Sequence, residues 1–311
     1  MRTILCLLVL SFAIQAEEPT KPKVGQNVEV KNTPAWLIDE DTTAIMAVQI
    51  RSILDFLPIK NRLNRKVVAE LKKSTLLRQF EFDPLTELSS AQFAISETRD
   101  STALLSGDFR RERRRTPLLV EGGNDSYAQF VNDTTLLLAT TKPKLEELII
   151  REFKPLTLKP DKQPLLAAIP AKPTGSVLWI ASRWPSFFAT GDLLSAVGIA
   201  AVSPNLIKAS PVFFMTIGIE KADVVFRWTV PATDPNQLAE WQAYLDKIAD
   251  AYKAFAPLFA AQAEAFKPLV DESIKSIGVK IEDKKAVVLS FRVTITSLDK
   301  ALDVLMPGDD K

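Results

Sequence analysis

Residues 279–305 read VKIEDKKAVVLSFRVTITSLDKALDVL, and this stretch decides how the rest of the chain is laid out. Val279 and Ile281 alternate with Lys280, Glu282-Asp283-Lys284 has the composition of a turn, and Ala286 to Val293 returns as a second strand. Ser297 then opens a helix as its N-cap, with Leu298, Ala301, Leu302 and Leu305 on one face. The pattern is a hairpin feeding a helix. Upstream, residues 129–149 read QFVNDTTLLLATTKPKLEELI and carry the same order. There Phe130 and Val131 precede an Asn132-Asp133 turn, Leu136 to Thr140 returns, and a helix from Lys142 presents Leu145, Leu148 and Ile149.

The remaining strands fall into matching places around these two stretches. In the first half the spacing predicts strands at Thr42 to Gln49, Ala91 to Ser96 and Ala103 to Phe109, with an amphipathic helix from Leu63 to Phe80 after the first. In the second half Ser176 to Ala181, Val212 to Ile219 and Val224 to Val230 read as strands. The apolar region Phe187 to Ile207 stands where the helix stood. A long helical segment then opens at Asp234, an N-cap followed by Pro235, with Leu238, Trp241, Leu245, Ile248, Tyr252, Phe255 and Phe259 on one stripe. Pro257 and Pro268 are expected to break or kink it into two or three pieces.

Each half thus reads β-α-β-β-(α)-β-β-α. The expected fold class is α+β: two tandem repeats related to ferredoxin-like units, with mostly antiparallel sheets and helices packed on one face. Expected boundaries are 36–153 for the first repeat, 154–167 for a Pro- and Lys-rich linker, 168–306 for the second repeat with its inserted helices, and 307–311 for a tail.

The 311 residues are 47% hydrophobic and 25% charged, an ordinary globular balance. Arg2 followed by the apolar run Ile4 to Ile14, with Gln15-Ala16 before Glu17, predicts a cleaved signal peptide over 1–16; the competing reading is a retained N-terminal anchor. Residues 17–35 read as a flexible lead-in. The one cysteine, Cys6, lies within the apolar run, too early for lipidation, and the chain has no histidine. A mature chain from residue 17 would therefore lack disulfides, thiolate nucleophiles, Cys/His metal sites and histidine relays. Its core must hold it together unaided.

The signal peptide, the Phe82-Asp83-Pro84-Leu85 phrase, the strand ending Gly107-Asp108-Phe109 and the hairpin Asn132-Asp133-Thr134-Thr135-Leu136 together resemble a set of uncharacterised secreted bacterial proteins built from two α+β repeats. The resemblance covers most of residues 36–306. It implies an exported two-repeat protein with no assigned activity, and it carries no catalytic residues across.

Among charged features, Arg110-Arg111-Glu112-Arg113-Arg114-Arg115 is the densest. Guanidinium forks grip oxyanions in two-point geometry, so Arg110, Arg111, Arg113, Arg114 and Arg115 are the candidate anion contacts, with an anionic polymer or surface as partner. The bland alternative is a solvated loop balanced by Asp108, Glu112 and Glu121. Nucleic acid is not expected, because no aromatic interrupts the run and the whole chain carries a formal charge of only +1.

Trp179, Trp184, Phe187 and Phe188 crowd the start of the second half and form either an apolar patch or core. Ser297-Leu298-Asp299-Lys300 matches Ser-x-x-Lys, but no Ser-Asp-Asn or Lys-Thr-Gly accompanies it. The acid pairs Asp39/Asp41, Glu146/Glu147, Asp271/Glu272 and Asp309/Asp310 lack calcium-loop spacing. No catalytic residue, cofactor or metal is expected. The chain reads as a secreted or periplasmic, non-enzymatic binding or structural protein, not integral to a membrane once the leader is removed. The alternatives are a carrier of a lipid or other hydrophobic small molecule, with its pocket between the 236–277 helices and the sheet, and a histidine-independent hydrolase.

Overall fold

The structure, a computed structural model, describes residues 34–56, 59, 83, 86–96, 101–109, 118–120, 126–151, 154, 163–168, 176–184, 201–260 and 264–305. The expected leader 1–16, the 63–80 helix, the Arg110–Arg115 run, Phe187, Phe188, Asp309, Asp310 and most of the 154–167 linker lie outside the described residues. The chain divides between Ile169 and Pro170 into two units.

The first unit begins with a 3-10 turn, Pro34–Leu37, and β1 (Thr42–Val48), followed by α1 (Ile50–Asp55). Then come β2 (Leu88–Ser96), β3 (Thr102–Gly107), β4 (Leu118–Val120), the hairpin of β5 (Ser126–Asn132) and β6 (Thr135–Ala139), α2 (Lys142–Ile150) and α3 (Leu165–Ala168). Its strands stand in the order β1-β2-β3-β6-β5-β4, each antiparallel to its neighbours.

Leu104 lies opposite Leu137 and Leu105 opposite Leu136, so β6 pairs with β3 on one edge and with β5 on the other. All five residues of β6 are buried. Successive side chains point to opposite faces, so the run Leu136-Leu137-Leu138 buries both of them. On one face Leu104, Leu137 and Ala139 pack with Trp36, Leu37, Leu145 and Leu148. On the other, Phe109 is wholly buried and meets Phe130 edge-on, with ring centroids 5.2 Å apart. Each fully buried leucine here contributes about 1.5–3 kcal/mol.

The second unit comprises β7 (Ser176–Arg183), α4 (Pro204–Ala209), β8 (Val212–Glu220), β9 (Asp223–Pro231), α5 (Pro235–Ala260), α6 (Lys267–Ser276), the hairpin of β10 (Gly278–Glu282) and β11 (Ala286–Thr294), and α7 (Ile295–Leu305). Its strand order is β7-β8-β9-β11-β10, again antiparallel throughout. One face is covered by α5, whose Leu238, Trp241, Leu245 and Ala249 form a buried cluster with Phe213, Val230, Val287 and Leu289. Asp234 caps that helix as expected: its Oδ1 accepts from the N–H groups of Asn236 at 2.8 Å and Gln237 at 3.1 Å.

Two of three local features differ from the sequence expectation. Pro257 does not break α5, which continues to Ala260; the proline forgoes one bond, the one its N–H would give the Lys253 carbonyl, and the packed turns before it hold the helix. The segment is interrupted ahead of Pro268, as expected: α5 ends at Ala260, a 3-10 turn spans Glu264–Phe266, and Pro268 stands at the second position of α6, where an absent N–H is free of penalty. Ser297 is not the cap of the closing helix. The helix begins at Ile295, and Thr294, the last residue of β11, accepts the Ser297 N–H on its hydroxyl at 3.2 Å.

Both hairpins turn tightly. Asp283 and Lys284 take φ of 51° and 56°, and the Lys285 N–H closes on the Glu282 carbonyl at 2.9 Å, the sense of turn that matches strand twist. In the first unit Asn132 Oδ1 instead accepts from the Thr134 N–H and Thr134 hydroxyl, each at 2.9 Å. That turn holds the end of β3: Gly107 N–H donates to the Thr134 carbonyl at 3.0 Å and Phe109 N–H to that of Asp133 at 2.9 Å. The Glu87 carbonyl approaches from the opposite side to accept from Asp108 N–H at 2.8 Å. A Cβ on Gly107 would meet this carbonyl oxygen at 2.1 Å.

Because the obstacle is backbone held by two neighbouring segments, Gly107→Ala is expected to destabilise the first unit by about 1–3 kcal/mol. Urea unfolding followed by circular dichroism measures it, and an unchanged midpoint would contradict the close approach.

Candidate functional site

Two polar clusters are built into the units. In the first unit Asp39, between the opening 3-10 turn and β1, receives Lys144 and Arg151 from opposite ends of α2. The Lys144 ammonium contacts Asp39 Oδ2 directly and reaches Glu147 Oε2 at 3.0 Å. Arg151 Nη1 lies 3.4 Å from both Asp39 Oδ1 and Glu147 Oε1, and Nη2 donates to the Trp36 carbonyl at 3.0 Å. The side chains of Asp39, Lys144 and Arg151 retain only 11–14% exposure, so desolvation is nearly complete and the charges depend on one another. Burial alone would lower the Lys144 pKa; hydrogen bonds to Asp39 and Glu147 more than offset it and leave the ammonium above its ordinary value.

Gln163, wholly buried, completes this cluster from the segment before α3. Its Nε2 donates to the Asp39 carbonyl and to that of Thr42 at 3.3 Å, while Thr42 Oγ1 accepts the Asp39 N–H at 2.9 Å. Gln163 lies in the expected linker, whose proline and lysine content concealed it. The neighbouring Leu165, also buried, was the readable signal. The cluster ties 36–42, α2 and α3 together, and its carboxylate faces two cations that hold it in place. That arrangement clamps backbone; it leaves no acid or base free for a substrate.

In the second unit Glu272 on α6 reaches the β11–α7 corner. Its Oε2 accepts the Thr294 N–H at 2.6 Å, and its Oε1 accepts the hydroxyls of Ser297 at 2.7 Å and Thr294 at 3.0 Å. Partial burial would raise the Glu272 pKa; these three donors outweigh it and hold the carboxyl below its ordinary value. Ser297 is buried with its proton committed to that carboxylate, while Lys300 is exposed. The Ser-x-x-Lys spacing therefore does not yield a Ser–Lys pair. A carboxylate kept ionised by three donors is a weak base for a serine hydroxyl.

The same helix is fixed to its other neighbours. Ser276 Oγ lies 2.8 Å from the Arg292 carbonyl and accepts the Arg292 N–H at 2.9 Å. Ser273 Oγ gives its proton to the Val270 carbonyl at 2.8 Å, so the Tyr252 hydroxyl, 2.7 Å away, is the donor between α5 and α6.

Of the aromatic candidates, Trp179 is buried and Trp184 is partly buried against the second unit's core. Trp179 is 1% exposed and stacks near Phe214. Trp184 stacks on Trp241 with centroids 4.7 Å apart and planes 12° apart, touches Phe213 at 4.7 Å, and donates its N–H to the Ser210 carbonyl at 2.7 Å. Beside them burial pushes the Tyr244 phenol up to about 12. Of the acid pairs, Glu147 joins the Asp39 cluster, and Glu146 forms a surface pair with Lys142 at 3.5 Å. Among the described residues no three acidic side chains gather as metal ligands, and no helix is long and apolar enough to cross a membrane.

No protein-family model matches the chain, and no curated protein matches its sequence. Among solved structures, crystal forms I and III of TP0453 are similar to it at 6% identity, with TM-scores of 0.43 and 0.44. The likeness covers 89% of this chain and 98% and 100% of those chains.

Removing the Asp39 carboxylate would leave two buried cations facing each other, so Asp39→Ala is expected to cost about 3 kcal/mol in chemical denaturation. Glu272 has a different signature. Its folded pKa is depressed, so its stabilisation is complete above the ordinary carboxylate value of 4.5 and is lost as pH falls through the lower folded value. Glu272→Gln is expected to be less stable than the parent at neutral pH, and the gap is expected to close in acid. A gap that stays constant with pH would show that the carboxylate charge contributes nothing.

Proposed function

We propose that the chain is an exported, non-enzymatic binding or structural protein made of two tandem α+β repeats, in the class that includes ferredoxin-like units. The observation that carries the repeat is the strand order. Read across each sheet, β1, β2, β3, β6 and β5 neighbour one another just as β7, β8, β9, β11 and β10 do, with β4 added at the end of the first sheet. A short helix follows the first strand of each, α1 in one and α4 in the other, and a hairpin followed by a helix closes each, through α2 and α7.

Export is supported by residues 1–16, whose charged start, apolar run and small final residue suit a secretory leader. The non-enzymatic reading is supported by the use made of the two polar clusters. Asp39 is neutralised by Lys144 and Arg151, and the Ser297 hydroxyl is bound to Glu272. As a binding protein its best anion contact is Arg110–Arg115, on charge density alone. A carrier with its guest between α5 and the sheet is less well supported, since that space is filled by Leu238, Trp241 and Leu245 against Phe213, Val230 and Leu289.

Two measurements test this. Replacing Arg110, Arg111, Arg113, Arg114 and Arg115 by serine is expected to lower the salt needed to elute the protein from an anionic matrix; equal elution removes the anion contact. Protein purified from its own source is expected to have lost residues 1–16 and to turn over no ester, glycoside or peptide substrate. A full-length mass would remove cleaved export, and turnover would remove the non-enzymatic reading.

A further inference from the structure

Among the described residues β10 is the last strand of the second unit's sheet, bonded to β11 on one edge. Sheet edges present a row of backbone donors and acceptors to any strand that can complement their side chains. In β10 Gly278, Lys280 and Ile281 are exposed, and a side chain added at Gly278 would meet open space. Ile281 is 41% exposed, although its cross-strand neighbour Val287 is wholly buried. Lys280 and Glu282 share the opposite face, two residues apart, with Nζ and Oε1 separated by 2.6 Å.

This pattern is self-complementary in one register. Two copies of β10 set antiparallel about a two-fold axis can be centred on any of its five residues; centring on Gly278 or Val279 leaves Lys280 and Glu282 with no charged residue opposite. Centring on Lys280 opposes two lysines, and centring on Glu282 opposes two glutamates; either is unfavourable. Centring on Ile281 places Lys280 of each copy opposite Glu282 of the other, and sets the two exposed isoleucines against each other on the α5 side. All charges are then paired and the contact is isologous, as a two-fold dimer requires.

We infer that β10 is a homodimerisation edge, at which a second copy of this chain adds its own β10 antiparallel with the axis at Ile281. This goes beyond the reading of the protein as an exported binding or structural protein and does not rest on it. The opposing view is that Lys280 guards a short edge against any partner. The two views differ in what charge reversal does.

Sedimentation velocity of the full chain over a concentration series at low salt separates them. The contact is small, so the dimer is expected at the upper end of the series. Lys280→Glu and Glu282→Lys are each expected to shift the population to monomer, because each opposes like charges across the axis. The double variant K280E/E282K is expected to restore the dimer. These residues are exposed or half-exposed, and an unchanged circular dichroism spectrum shows that each variant is folded. As a second readout, Ile281→Cys in a Cys6→Ser background is expected to give a covalent dimer with a short bismaleimide, and to lose it when K280E is added. Monomers throughout the wild-type series would overturn the inference and leave the edge guarded or reserved for another protein's strand. A dimer indifferent to both single reversals would overturn it equally.

Discussion

In both units one ladder joins segments that lie far apart in sequence: β3 to β6 in the first, β9 to β11 in the second. Among the described residues, every other strand pairing within each unit joins a strand to its immediate predecessor or successor. The long-range ladder alone brings the closing hairpin back to the opening meander, and it repays a loop-closure cost that local pairings do not incur. Apolar pairs stand within it in both units. Leu104 and Leu105 face Leu137 and Leu136, and Trp228 and Val230 face Leu289 and Val287. With no histidine and a single cysteine at residue 6, apolar burial and hydrogen bonding carry the closure.

The polar clusters serve that closure. Asp39, Lys144, Arg151 and Gln163 fasten the start of the first sheet to the helix that follows its hairpin. Glu272, Thr294 and Ser297 do the corresponding work where β11 passes into α7. The means differ. One cluster matches buried charge with buried charge, which is strongly destabilising only when a partner is removed. The other surrounds a single carboxylate with neutral donors, which fixes the corner and keeps the carboxyl ionised. In each case the group that would be reactive if left free is the group that holds backbone in place.

Much of the fold was legible because the signals were local. The hairpins at 129–140 and 279–293 announced themselves by alternation and turn residues, and Asp234-Pro235 marked the start of α5 correctly. What escaped were choices made by tertiary context. Thr294 and Ser297 are both good caps, and only the end of β11 decides between them. Pro257 looks like a stop, yet α5 is anchored on the sheet well before it and runs on. Gly107 looks like any strand-end glycine until the Glu87 carbonyl is seen beside it. Gln163 sits in a polar, proline-rich stretch, and its partners at 39 and 42 are remote in sequence. The candidate sites were less legible still. Trp179 and Trp184 have the composition of either a patch or a core, and only tertiary contacts bury the first and seat the second, partly buried, on Trp241.

The position of β6, with a partner strand on each edge and burial on each face, bears on how the first unit breathes. Its amides cannot reach water by fraying or by the lifting of a single helix, so solvent exchange there must await the opening of the whole unit. β10, bonded along one edge and exposed at three of its five positions, can open by itself at much smaller free-energy cost. The molecule is therefore graded in its dynamics, slowest where the apolar run Leu136 to Leu138 lies and quickest at the strand that ends the second sheet.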